Sequence, residues 1–175
     1  MTAQIEERIF YKGDWETMST EPLVDYLKTR PDIKFRLETS ACWRGYFGSW
    51  KIKDDKLYLT DIEGFLVDVG EVDLNHLFPN QDEVFAEWYT GTITLPRGEM
   101  LDYVHMGYYT LFEYDLLIEI KNGRVVKEEM RSNYEEYKRR LKKRERERRE
   151  AENPILRKRR ERRNTGGRIE NTLFF

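Results

Sequence analysis

Hydrophobic and polar residues alternate first in "RIFYKG" at 8–13, which predicts a short opening strand. The period then lengthens. In "STEPLVDYLKTRPD", Leu23, Tyr26 and Leu27 recur at helical spacing and form one stripe. Ser19 or Thr20 stands where a helix cap belongs, Glu21 and Pro22 suit a first turn, and Pro31 ends the helix. From 33 to about 132 the period returns to two. "IKFRL", "CWRGYFGSWKIK" and "KLYLTDI" read as strands, with a turn at Lys53-Asp54-Asp55-Lys56. "DLNHLFPN" reads as a short helical turn stopped by Pro79. "VFAEWYTGTITL" reads as one strand that Pro96-Arg97-Gly98 turns into another, "EMLDYVHM". "LFEYDLLIEI" and "RVVKEEMR" flank Asn122-Gly123, a hairpin signal because both central residues of a type I′ turn need positive φ.

Beyond 132 the pattern changes again. "SNYEEYKRRLKKRERERREAE" is helical in composition, with Ser132 or Asn133 as cap and Glu135 and Glu136 four residues before Arg139 and Arg140. Its apolar stripe is Tyr134, Tyr137 and Leu141, and it stops there. Pro154 breaks or restarts the helix, and "RIENTLFF" regains apolar character at the end. The expected fold class is α+β. It has a mainly antiparallel, meandering and curved sheet, one N-terminal helix and a long basic C-terminal helical arm. The expected division is an acidic β-rich domain at 1–133 and a basic helical arm with an apolar tip at 134–175.

Charge gives that division its meaning. The net charge of −2 conceals 15 Lys/Arg against 7 Glu in residues 134–163, while residues 1–133 hold 15 Lys/Arg against 25 Asp/Glu. Such asymmetry speaks of partners and solubility rather than fold. Aromatics at 14% exclude wholesale disorder, since burying rings offsets chain entropy. A single cysteine, Cys42, excludes an intramolecular disulfide and fits a reducing compartment. "MTAQIEERIF" has neither an apolar run nor a basic leader, so no signal peptide is expected. No stretch reaches the roughly 18 consecutive apolar residues of a membrane span. A soluble, cytoplasmic protein without membrane contact is the expectation.

Candidate chemistry concentrates in "LDYVHMGYYTLFEYD", residues 101–115. Period two places Phe112, Tyr114, Leu116, Ile118 and Ile120 on one strand face and Glu113, Asp115 and Glu119 on the other. Glu113 and Asp115 then lie roughly 7 Å apart, twice the strand rise. Glycosidase carboxylates need about 5–9.5 Å, so the pair is a catalytic candidate beside the plainer reading of a solvated face. His105 shares an expected strand face with Leu101 and Tyr103, as a space-filling core histidine or a general base. A ligand pocket would draw on Trp43, Arg44, Trp88, Tyr89, Tyr103 and His105. Gly45, Gly48 and Gly91 support the competing reading, a curved sheet whose rings fill the core beside glycine notches. Two histidines and one cysteine show no metal-ligand spacing, and no phosphate loop or nucleophile elbow occurs. No metal or cofactor is expected.

The strings "EPLVDYL", "CWRGYFGSWKIKDDKLYLTDI", "HLFPNQ", "EWYTGTITLPRGEMLDYVHMGYYTLFEYD" and "IKNGRVV" resemble a group of small bacterial proteins of unknown function. These pair a β-rich body with a charged helical C-terminus. The resemblance spans roughly residues 8–140 and implies a bacterial, cytoplasmic origin and one domain plus an arm. It implies no activity, cofactor or catalytic residue.

The functional expectation is a non-catalytic interaction protein that docks on a partner protein or a second copy. Arg157, Lys158, Arg159, Arg160, Arg162 and Arg163, with the tip Leu173, Phe174 and Phe175, are the expected contact residues. Two alternatives stand beside it. One is sequence-blind nucleic-acid binding through the same cations. The other is a small-ligand binder or hydrolase using the aromatic, histidine and carboxylate neighbourhood.

Overall fold

Three two-residue turns set most of the sheet. Lys12-Gly13, Asp54-Asp55 and Asn122-Gly123 all have positive φ, at 48° and 100°, 50° and 55°, and 48° and 74°. Each joins antiparallel neighbours in the type I′ manner that suits the right-handed twist of strands. In the computed structural model, which describes residues 2–153, they connect β1 (Glu7–Tyr11) to β2 (Asp14–Met18), β3 (Tyr46–Lys53) to β4 (Lys56–Leu66), and β8 (Leu111–Lys121) to β9 (Arg124–Ser132). Between them lie α1 (Leu23–Thr29), β5 (Gly70–Val72), α2 (Leu74–Leu77), β6 (Val84–Phe85) and β7 (Gly91–Asp102), and α3 (Tyr134–Glu152) follows β9. The chain divides into two compact units after Tyr134. No helix among the described residues is long and apolar enough to cross a membrane.

The sheet has nine strands in the order β2-β1-β3-β4-β9-β8-β7, with β5 and β6 also paired to β4. This corrects the expected antiparallel meander, because β1 and β3 are parallel (Ile9 opposite Trp50) and the sheet is mixed. Parallel neighbours need a crossover. Here residues 19–45, carrying α1, return the chain beside β1 rather than beside β2. Strand β2, "DWETM", escaped notice because it alternates poorly and buries only Met18. Ser19 N donates to Thr94 O at 3.1 Å and Glu16 pairs with Arg97, so the sheet curls until its two end strands meet. Ser19 and Thr20 therefore do not cap α1. Its N-cap is Pro22, without a side-chain bond. The Ser19 hydroxyl bonds Glu6, and Thr20 Oγ1 accepts from Thr94 N at 3.0 Å.

The expected long C-terminal arm is also corrected. Helix α3 is of moderate length, 19 residues ending at Glu152. A residue preceding proline is driven out of the helical region, and Asn153 precedes Pro154. No residue of α3 is buried. Within it, Glu136 pairs with Arg139 at 2.8 Å and Arg140 at 3.2 Å, and Glu135 with Lys138 at 2.8 Å.

Other strand boundaries moved for local reasons. "IKFRL" is not a strand; Phe35 makes one bridge to Leu66, and Arg36 N donates to Phe65 O at 2.7 Å. Pro96-Arg97-Gly98 does not turn the chain but passes through β7 as an irregularity, with Gly98 at φ +76°. The strand expected through Met106 ends at Asp102, and 103–110 is a loop. Inside the curl, Ile9, Trp50, Leu57, Leu59, Ile62, Ile93, Leu95 and Ile118 are fully buried. Each such aliphatic side chain stabilises the fold by about 1.5–3 kcal/mol.

Gly123 tests the turn assignment. A Cβ there would stand 2.7 Å from Ala86 O and 2.7 Å from the Phe85 ring. Gly123→Ala should lower the unfolding free energy in urea by at least about 1–2 kcal/mol, from backbone strain alone. A loss below about 0.5 kcal/mol, the scatter of an ordinary surface change, would contradict this turn.

Candidate functional site

Arg44, expected to line a ligand pocket, is withdrawn from water instead. Its side chain is 2% exposed, and its Nε lies 3.0 Å from Oε1 of Glu7, whose side chain is 0% exposed. Trp50 Nε1 donates to Glu7 Oε2. Arg44 Nη1 donates to the Tyr108 hydroxyl at 2.7 Å and to Ile5 O at 2.9 Å. Tyr108 in turn donates to Glu21 Oε1 at 2.7 Å. One guanidinium thus ties the β1 entry, the 103–110 loop and the approach to α1. Burial pushes the Glu7 carboxyl up to about 7, against the opposing pull of Arg44 and the Trp50 bond. Burial by itself would lower Arg44, but the charges of Glu7 and Tyr108 outweigh it and the net direction is up. Gly48 makes room, since a Cβ there would lie 2.6 Å from Glu7 Oε2. Glu7 was not singled out from sequence. The signal was parity: it shares a strand face with Ile9 and Tyr11, both buried.

The other expected pocket residues lie elsewhere. Trp43 is 50% exposed in the turn before β3. Trp88 stacks on Phe78 at 5.9 Å, tilts against Tyr26 at 5.1 Å, and donates to Pro22 O at 3.0 Å. Tyr89 is buried and donates to Thr92 O at 3.2 Å. Tyr103 and His105 sit exposed on the 103–110 loop rather than on a strand face, with the Tyr103 hydroxyl 2.8 Å from His105 Nδ1. Glu113 accepts from the Tyr134 hydroxyl and from Glu99 N at 3.1 Å, and the Tyr134 bond, then Glu99, hold its carboxyl below the usual range. Asp115 pairs with Arg131 at 2.8 Å. The candidate carboxylates are thus each engaged by neighbouring strands. Arg157, Lys158, Arg159, Arg160, Arg162, Arg163, Leu173, Phe174 and Phe175 lie outside the described residues.

What the structure does assemble is a groove on the outer face of β3, β4 and β5. Strand β4 changes parity at a bulge: Ser49 faces Asp61 but Trp50 faces Leu59, leaving Thr60 as the extra residue. Leu57 and Leu59 point inward before it, and Ile62 and Leu66 after it. Asp61, Glu63 and Phe65 are thereby sent outward. Phe47 stands opposite Glu63, and Phe65 opposite Glu71. Gly64 pairs with Tyr46 on one side and Val72 on the other, so the four side chains step across three strands in the order Phe47, Glu63, Phe65, Glu71, rings and carboxylates alternating.

This row lines a cavity of about 230 Å³, walled on its far side by Glu38 and the buried Cys42. A second cavity of about 360 Å³ shares Glu63 and Glu71 and continues past Asp61, Asp73 and His76. Asp73 accepts from His76 N at 3.0 Å, capping α2. The Arg36 guanidinium lies 5.5 Å from the centre of the Phe65 ring and pairs with Glu38. Glu63 and Glu71 have no ion-pair partner among the described residues. No three His, Cys, Asp or Glu side chains among those residues gather closely enough to hold a metal ion.

No family model, curated protein or solved structure matches the chain.

The raised Glu7 carboxyl has a sign that can be checked. A group whose pKa rises on folding gives stability that is full below its unfolded pKa and is lost as pH climbs through the folded value. The advantage of the native chain over Glu7→Gln should therefore shrink as pH rises from 4.5 to about 7. Paired urea melts across that window measure it, and a constant or widening margin would refute the assignment.

Proposed function

We propose that this chain is a non-catalytic, cytoplasmic binding protein that docks on a partner macromolecule through charged surfaces of opposite sign. The observation that carries this reading is the outward-facing row of Phe47, Glu63, Phe65 and Glu71, on a body holding 25 acidic against 15 basic residues. An exposed ring, Phe47, and a half-buried one, Phe65, beside carboxylates that lack a counter-charge contribute little to folding and much to recognition. The second surface is basic: residues 134–152 carry nine Lys/Arg against six Glu, and six more cations follow at 157–163. Cytoplasmic residence is supported by the single, buried Cys42. Nucleic-acid binding is the second reading, favoured by the exposed cations along α3.

The full chain is to be compared with a variant in which Arg157, Lys158, Arg159 and Arg160 are replaced by serine, by light scattering and by affinity capture from its native cell. Loss of a protein partner, or of a dimer, is the expected outcome; no change in either would overturn the reading. Should the native chain bind duplex or single-stranded probes instead, the four replacements should flatten the slope of log affinity against log salt by about 3–4.

A further inference from the structure

We propose that the outer groove of β3, β4 and β5 binds a Lys/Arg-rich peptide segment, with one cationic side chain seated over the Phe47–Glu63–Phe65–Glu71 row. The inference rests on the binding-protein reading and names the chemistry of the partner for one of its two surfaces. Directly opposed side chains stand about 4.5–5.5 Å apart, and diagonal ones about 7–8 Å. A cation above β4, between Glu63 and Phe65, therefore has those two beside it and the Phe47 ring and the Glu71 carboxylate on the flanking strands at either hand. Ring faces attract cations, and carboxylates on the same face supply the counter-charge. Phe65 already carries one such contact, from Arg36, whose charge is taken by Glu38. Glu63 and Glu71 remain uncompensated, and like charges on one sheet face repel until a cation arrives.

An extended peptide suits the site better than a small amine. The two cavities share Glu63 and Glu71 in their linings, so an occupant of both runs from the aromatic row past Asp61 and Asp73. Its apolar side chains would meet Leu37, Val67 and Val69, which are 56–59% exposed. Those residues belong to the adjoining segments, where Val67 N donates to Lys34 O at 3.0 Å.

The test uses the full chain and a fluorescein-labelled Lys/Arg-rich dodecapeptide, read by anisotropy at low and physiological salt. Against the native chain, Glu63→Gln/Glu71→Gln should weaken binding about tenfold, two exposed charge contacts being lost together. Phe65→Leu should weaken it about twofold to fivefold, the range of an exposed cation–π contact. Glu129→Gln on β9, remote in register from the groove, should leave it unchanged. All four replacements in these three variants are on the outer or exposed faces, and thermal melts matching the native chain confirm intact folds. If the groove variants bind the peptide as the native chain does, the groove assignment falls while the binding-protein reading stands. No binding to the native chain at low salt has the same consequence. If serine at Arg157, Lys158, Arg159 and Arg160 raises peptide affinity, the chain's own C-terminal segment competes for the groove, and the separate partner is overturned in favour of that segment.

Discussion

A buried carboxylate facing a buried guanidinium constrains everything around it. Withdrawing two charges from water costs several kcal/mol per ion, and their attraction repays this only when further hydrogen bonds complete the geometry. Glu7 and Arg44 meet that demand in part: Trp50 Nε1, the Tyr108 hydroxyl and Ile5 O bond them, while Arg44 Nη2 is left without a hydrogen-bond partner. Glu7 belongs to β1, Trp50 to β3, and Arg44 to the turn that delivers β3. The parallel pairing of β1 with β3, which makes this sheet mixed rather than a meander, is the pairing these groups bridge. Gly48 is part of the same constraint, because any larger residue would displace the carboxylate from the indole. Slipping β1 by one residue would turn Glu7 to solvent and leave Arg44 buried without its partner. The ion pair thus fixes register more than it adds stability.

Strand β4 shows how the core and the surface are kept separate. Its bulge at Thr60, whose hydroxyl bonds Ser49 O at 3.0 Å, switches which residues face inward. Without that extra residue, Asp61, Glu63 and Phe65 would point into the core and Ile62 and Leu66 into water. The carboxylates would then need partners that the core does not offer. With it, one strand supplies buried aliphatics on one side and the outward carboxylates and ring of the groove on the other. Replacements on the outer side are therefore separable from folding, as replacements of Arg44 or Glu7 are not.

Much of this was legible in the sequence wherever the signal was local. Asn122-Gly123 and the Lys53–Lys56 turn are found where their residue types place them, and β8 buries Leu116, Ile118 and Ile120 as its alternation requires. The glycine notches are likewise present, with Gly91 against the Tyr89 hydroxyl and Gly48 against Glu7. What failed was non-local. "DWETM" is an edge strand with little to bury, so its alternation is faint. "IKFRL" alternates but finds no strand ladder beside it. The row of Phe47, Glu63, Phe65 and Glu71 crosses three strands through a register that a single bulge decides, and no linear period encodes it. Tyr103 and His105 were placed on a strand because apolar residues alternate through them, yet Gly107, at φ +53°, lies in the loop that replaces it.

Net charge proves a coarser guide than local compensation. The opposed balances of the two parts of the sequence suggested partners, yet many of those charges answer one another nearby. Glu135 and Glu136 face cations one turn along α3, Asp115 faces Arg131, and Glu128 faces Lys12 at 2.7 Å. Such exposed pairs contribute little individually, about 0–1 kcal/mol each, but they leave little field to attract anything else. The groove differs because its carboxylates sit beside rings, while the guanidinium groups that adjoin those rings, Arg36 at Phe65 and Arg44 at Phe47, are already held by Glu38 and Glu7. A cation arriving there displaces loosely held solvent counter-ions rather than an existing partner. Recognition is expected where charge is left uncompensated beside apolar surface, and on the described body the outer face of β3, β4 and β5 meets that condition.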